Sequence, residues 1–267
     1  VLTIISLSYL LLIFINLTIL TKNGFSNRFK ILKEVNQFYN PDNYFLGKIR
    51  LDNVNVNKNK FDKNKYKILV IGDSHGEDLF SALSQTRDLY ERPLDVLYIS
   101  ETLYESVEKY KSLLSDSDMI IFSSRFDTYN KLFLENNIKM LKEINKNIYL
   151  TSNVNEYRVY SKFYTLLDHK IIFDDSFSDY FGLKNYYFDN RTVHSFSEKN
   201  LFIKKLSRDL NIKYLNKEDF MCEIKKKECF YVDEIGNKLM HDNNHFTREG
   251  AEFFGRKIFE INWLNLN

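Results

Sequence analysis

The 267 residues carry no surplus of one charge: 38 Lys and Arg face 36 Asp and Glu, a formal net charge of +2. No basic stripe of the kind that neutralises phosphates is present, so nucleic acid is not an expected partner. Cysteine occurs twice and histidine five times, which narrows the search for disulfides, metal ligands and general bases. Proline (two) and glycine (eight) are scarce beside Lys, Asn, Ile, Tyr and Phe, a skew that reads as coding bias without functional content. No internal repeat is found. What is present suits a folded chain: 44% apolar and 28% charged residues exclude wholesale disorder. The length suits one sizeable domain with extras.

The first twenty residues, "VLTIISLSYLLLIFINLTIL", hold no charge, and 15 of the 20 are apolar. That length matches a membrane-spanning helix, and residues 1–21 are predicted to form one. A signal peptide would need a basic start and a small-residue cleavage site, and neither is there. A buried core helix would need a polar face, which is missing too. The chain begins with Val, so the span reads as the end of a longer membrane protein or as translation from a non-Met start. Residues 22–66 are polar and rich in Asn and Lys, a tether with room for a short helix near the span.

From Lys67 onward the pattern is regular. Short apolar runs, "KILVIGDS", "LDVLYIS", "SDMIIFSS", "NIYLTSN" and "IKYLNKED", are separated by stretches of helical spacing. A helical stretch is expected after the fourth run, then a less regular region over 171–195. Alternating strands and helices predict an α/β fold over 67–267: a three-layer α/β/α sandwich with a parallel five-stranded sheet, flavodoxin-like. Such sheets carry their sites in the turns after the strands.

Ser74 occupies such a turn, in "GDSHGEDLF". Asp73 or Ser74 reads as a helix N-cap. A serine there is also surrounded by backbone N–H groups able to stabilise an oxyanion. To act as a nucleophile it needs a base, and the base needs an orienting acceptor. Of His75, His169, His194, His241 and His245, the last fits best. Asp242 lies three residues before it and can turn back onto Nδ1, leaving Nε2 for the serine. His241 and His245 share the spacing of a zinc motif, but "DNN" between them is a poor helix interior and the Glu of that motif is replaced by Asp. Thr247 in "FTREG" reads as the cap of a final helix.

Cys222 and Cys229 flank the six residues "EIKKKE". In an oxidising compartment they read as a small disulfide-closed hairpin; two free thiols, or a zinc site recruiting His241 and His245, are the alternatives. Lys22, Arg28, Lys30 and Lys33 after the span would put that side in the cytoplasm. The cysteines argue for the opposite side, and the reading follows them.

"GDSH" after the first strand, with "DNNH" before the last helix, resembles the SGNH (GDSL-like) hydrolase superfamily. Within it, the paired cysteines and "NHFTREGAEFFG" look most like SGNH domains fused to acyltransferase-3 membrane proteins. The resemblance covers about 67–262. It implies Ser74 as nucleophile, His245 as base and Asp242 as its partner, with no cofactor and no metal. It implies an O-acyltransferase, commonly acetyl, acting on bacterial surface polysaccharide through an acyl-enzyme. An acyl donor, a surface glycan, the membrane and a membrane acyltransferase part are then the partners, and the domain is anchored outside the cytoplasm, periplasmic or at the cell surface. An anchored esterase and a non-catalytic carbohydrate-binding or scaffolding domain are the other readings.

The chain departs from the superfamily's oxyanion pattern. Glu101-Thr102 follow the second run, and no glycine occurs between Gly76 and Gly182. Arg125-Phe126 follow the third run, where an asparagine would be expected. The Ser74 N–H, an amide near Ser100–Glu101 and the Arg125 side chain are the candidate donors, and a structural ion pair is the other role for Arg125.

Overall fold

The structure, a computed structural model, describes residues 11–18, 60–100, 103–126, 131–145, 147–154, 156, 159–161, 164–165, 180–191, 193–234, 237–240 and 242–266. It contains the expected α/β fold with a five-stranded parallel sheet. β1 (Tyr66–Gly72), β2 (Leu94–Ser100), β3 (Met119–Phe122), β4 (Ile148–Thr151) and β7 (Lys213–Leu215) lie in the order β2-β1-β3-β4-β7. The order reverses between β1 and β3, so the crevice at their carboxyl ends is where such a sheet places a ligand.

The strands are nearly continuous apolar runs because both faces of the sheet are covered. Residue parity then sorts side chains into two cores. Ile68, Val70, Leu94, Val96, Met119 and Ile121 face one side. There they meet α1 (Ser74–Gln85), through Leu79 and Leu83, and α7 (Arg248–Glu260), through Phe254 and Ile258. Leu69, Ile71, Leu97, Ile99, Ile120 and Phe122 face the other side. Their partners are Leu114 of α2 (Leu103–Asp116), Leu134 and Ile138 of α3 (Lys131–Ile144), and Ile203 and Leu206 of α5 (Val193–Asp209). Each such fully buried aliphatic side chain contributes about 1.5–3 kcal/mol. Phe61, ahead of β1, is buried in this second core.

The helical stretch expected after β4 is different in the structure. Val159–Ser161 (β5) and Tyr164–Thr165 (β6) form a small antiparallel hairpin. Val, Tyr and Thr are strand formers, and the local propensity of "VYSKFYT" follows them rather than helical spacing. The less regular region contains helix α4 (Tyr180–Asn190). A four-residue helix α6 (Glu218–Met221) leads into β8 (Cys222–Glu223), which pairs with β9 (Glu228–Cys229). A disulfide joins Cys222 to Cys229 across this hairpin. Closing so short a loop limits the unfolded chain by about 2–3 kcal/mol.

Of the predicted membrane span only residues 11–18 are described; they are helical, with Leu11, Leu12, Ile13 and Phe14 exposed. Among the described residues no helix is long and apolar enough to cross a membrane. The rest of the predicted span, and all of the tether short of residue 60, lie outside the described residues.

Candidate active site

β1 ends at Gly72 because the chain must pass close to β3. A Cβ at Gly72 would sit 1.7 Å from the Ser123 carbonyl oxygen, and one at Gly76 would sit 2.7 Å from the same atom. No side chain fits at Gly72. Asp73, not Ser74, caps α1: its Oδ1 accepts the His75 N–H at 2.9 Å. Its Oδ2 accepts the Arg125 N–H at 2.7 Å, which ties the turn to the segment after β3. Tyr98 on β2 donates its hydroxyl to the carbonyls of Gly72 and Asp73, at 2.9 and 3.0 Å. With the cap supplied by Asp73, the Ser74 hydroxyl is available for another partner.

That partner comes from far along the chain. Asp242 Oδ1 accepts the N–H groups of Asn244 and His245, both at 2.9 Å, and so folds the loop on itself. Its Oδ2 lies 2.8 Å from His245 Nδ1. One carboxylate thereby shapes the backbone and orients the ring. The opposite ring nitrogen, Nε2, lies 2.9 Å from Ser74 Oγ. Burial alone would raise the Asp242 carboxyl. The hydrogen bond and charge of His245, with the two backbone N–H groups, outweigh it and hold the carboxyl well below the ordinary carboxylate range.

Two helices fix the two halves of this contact. Ser74 opens α1 and His245 lies just before α7, whose Thr247 cap accepts the Gly250 N–H at 2.9 Å. The helices pack directly on each other at Gly255, where a Cβ would lie 2.4 Å from the Ala82 carbonyl oxygen. Asp78 of α1 adds a link, accepting the Phe246 N–H at 3.3 Å. His75 is buried and packs edge-on against the His245 ring, centroids 5.5 Å apart.

Arg125 is engaged by a carboxylate. Its Nη2 donates to Glu156 Oε2 at 3.1 Å and its Nε lies 2.9 Å from Oε1, an ion pair. Glu156 also accepts from Asn244 Nδ2 at 3.0 Å. The ion-pair role considered for Arg125 is the one its side chain has here. Ser100 ends β2, while Glu101 lies outside the described residues, as do His169 and His241. Among the described residues no cluster of His, Cys, Asp and Glu could hold a metal ion.

The sequence and the site geometry meet in a family match. A family model described as "SGNH domain (fused to AT3 domains)" matches residues 47–259. The chain belongs to this SGNH family. Membership makes it an enzyme of acyl-ester chemistry, an acyltransferase or an ester hydrolase. No curated protein matches the sequence. Among solved structures, the SGNH chain is similar to the periplasmic domain of the lipopolysaccharide acetyltransferase of Salmonella ser. Paratyphi A. The TM-score is 0.57 at 18% identity, over 75% of this chain and 84% of that one. A G-D-S-L family lipolytic protein from Desulfitobacterium hafniense DCB-2 gives 0.43 at 13%, over 74% and 99%. A GDSL-like lipase from Parabacteroides merdae ATCC 43184 gives 0.41 at 14%, over 76% and 97%. At 18% identity the likeness to the Salmonella domain is one of fold.

Sequence reasoning missed Tyr98, Glu156, Asn244 and Lys217. Tyr98 could have been found by parity, since it shares the α1-facing side of β2 with Val96. Lys217, in "YLNKED", reads as solvated, yet its side chain is wholly buried. Burial lowers its amine to about 8, against the opposing pull of Asp73 and Asp78.

Proposed function

We propose that this SGNH domain is an O-acyltransferase, transferring acetyl to a hydroxyl of a cell-surface polysaccharide through an acyl-enzyme on Ser74. One observation carries the proposal: Ser74 Oγ, His245 Nε2, His245 Nδ1 and Asp242 Oδ2 form an unbroken chain of 2.9 and 2.8 Å contacts. In the first step Ser74 Oγ bonds to the acyl carbon while His245 Nε2 takes its proton. The tetrahedral intermediate collapses, the bond to the donor's leaving group breaks, and His245 returns the proton to that group. In the second step a sugar hydroxyl gives its proton to His245 and attacks the acyl carbon. Ser74 leaves and regains a proton. Asp242 holds the imidazole with Nδ1 protonated throughout and offsets its positive charge. The Ser74 N–H, at the positive end of α1, is the assigned oxyanion donor. The Arg125 guanidinium, held by Glu156, is assigned to supporting the base loop through Asn244 instead.

Three features support transfer at a membrane. The family is described by its fusion to AT3 domains. The fold neighbour is the periplasmic domain of a lipopolysaccharide acetyltransferase. The disulfide suits an oxidising, extracytoplasmic compartment. A membrane acyltransferase part would supply the acyl group, and the N-terminal apolar stretch would hold the domain beside it. The same centre with water as acceptor is an esterase, so the test carries both arms. Ser74→Ala should lower turnover of a chromogenic acetyl ester by at least ~1000-fold. Added acceptor polysaccharide should raise acetyl release from wild type and itself become acetylated. Wild-type turnover in the Ala variant would overturn the nucleophile assignment. Turnover unaltered by acceptor, with an unmodified glycan, would replace transfer by hydrolysis.

A further inference from the structure

Asp242 orients the His245 ring from within its own loop, but a contact inside one loop cannot set that loop's distance from Ser74. Contacts from other elements can, and they fall on both neighbours of His245. On one side the Phe246 N–H donates to Asp78 Oδ1 at 3.3 Å. On the other, Asn244 Nδ2 donates to Glu156 Oε1 at 3.0 Å. The second bond is the shorter, and both of its residues are buried, Asn244 at 5% and Glu156 at 8% exposure. Among the described residues Asn244 Oδ1 has no partner, so the bond to Glu156 is the one tie of that side chain. A buried carboxylate keeps its charge, and its strength as an acceptor, only where a cation compensates it. Arg125 is that cation, with Nε 2.9 Å from Oε1 and Nη2 3.1 Å from Oε2. The Arg125 N–H in turn donates to Asp73 Oδ2 at 2.7 Å, next to Ser74. Glu156 reaches in from the segment after β4, which Asn153 fixes. Asn153 Oδ1 accepts the Phe126 N–H at 2.8 Å, and its own N–H and Nδ2 donate to Asn200 Oδ1 of α5 at 2.9 and 3.0 Å. The contacts close a circuit, from Ser74 through Asp73, Arg125, Glu156 and Asn244 to His245, and the 2.9 Å Ser74–His245 contact completes it.

We propose that Glu156 is a positioning residue: its carboxylate, balanced by Arg125, clamps Asn244 and so sets the separation of His245 from Ser74. The inference rests on the proposed roles of Ser74 and His245. It makes the segment after β4, which supplies none of the Ser74, His245 and Asp242 contacts, part of what fixes the reacting distance.

The test is a double-mutant cycle in the full chain with Glu156→Ala, Asn244→Ala and both together. Kinetics on an acetyl ester and the rate of fluorophosphonate labelling of Ser74 are read alongside thermal unfolding. N244A keeps the backbone N–H that Asp242 accepts, so the loop retains its internal fold. E156A and N244A should each lower kcat by about 10-fold or more, with KM changed by less than about 3-fold, and labelling should slow to match. The double variant should be no more than about 3-fold below the slower single variant, because both replacements break the same bond. A role in stability alone would lower the unfolding temperature and leave kcat and labelling unchanged, which overturns the proposal. A kcat loss in only one of two folded single variants, losses that multiply, or a double variant that fails to fold where both singles fold overturn it too. If E156A does not fold, N244A decides: a kcat loss supports the proposal, and wild-type turnover or failure to fold overturns it. The S74A variant serves as the separate control. If it stays active, the nucleophile reading fails; if it is dead and the cycle is flat, only the Glu156 inference fails.

Discussion

The two halves of the site are held in different ways. The turn at Ser74 is fixed from outside, by Tyr98 of β2, by the Ser123 carbonyl after β3 and by the Arg125 amide. The loop at His245 is fixed largely from within, by one carboxylate three residues before the histidine. The first half depends on sheet order and register, the second on local chain geometry. A serine needs only a location, since its hydroxyl rotates. An imidazole needs a tautomer and a ring plane as well, and a neighbour in sequence provides both cheaply.

The sharpest way to break this contrast is at the shared carboxylate. Asp242→Asn keeps an oxygen for the two backbone N–H groups but no longer enforces the protonated Nδ1. Ester turnover should fall by about 100- to 10,000-fold with the fold retained. A loss under ~10-fold would show that the loop, not the charge, is what the carboxylate supplies. The same variant has a pH signature. Asp242 is depressed below its unfolded value of about 4, so the stability it contributes is complete above that pH and drains away as the pH falls beneath it. Between pH about 4 and 2, wild type should therefore lose more stability than the Asn variant in denaturant titrations. Parallel acid profiles would contradict this.

A smaller effect is expected where the two halves are joined. Gly255→Ala places a methyl against the Ala82 carbonyl and pushes α7 from α1. Each half keeps its own supports, but their separation grows, and turnover should fall by about 10- to 100-fold. An unchanged rate would mean that the Asp78–Phe246 link alone sets the distance. The smallest effect belongs to the base loop's exit. Thr247→Ala removes the cap of α7 and should cost about 0.5–2 kcal/mol in thermal or denaturant unfolding, with turnover near wild type. A large kinetic loss would show that the loop depends on its helix more than on Asp242.

The same contrast decides what could be read from the sequence. The strand–turn–helix around Ser74 was legible because apolar runs, a bounding glycine and a cap are local signals. The Asp242–His245 pairing was legible because three residues span it. The parallel sheet followed from strands alternating with helices, and Thr247 announced its helix. The supports of the Ser74 turn were not legible. Tyr98, Ser123 and the Arg125 amide reach it from other elements, and no spacing along the chain encodes that approach. Lys217 was hidden for a second reason: a lysine after a strand is ordinarily solvated, and only the three-dimensional course of the chain buries it. The hairpin at 159–165 was missed because aromatic and β-branched residues also fit a helical face when read by spacing alone.

The carbonyl oxygen of Ser123 has a wider consequence. It lies against both Gly72 and Gly76, so a single atom gauges the clearance under the whole "GDSHG" word. The outer letters of that word answer to steric clearance and the inner ones to chemistry. Evolution could therefore retune what this centre accepts by changing the rim around the serine, while the floor beneath it stays bare.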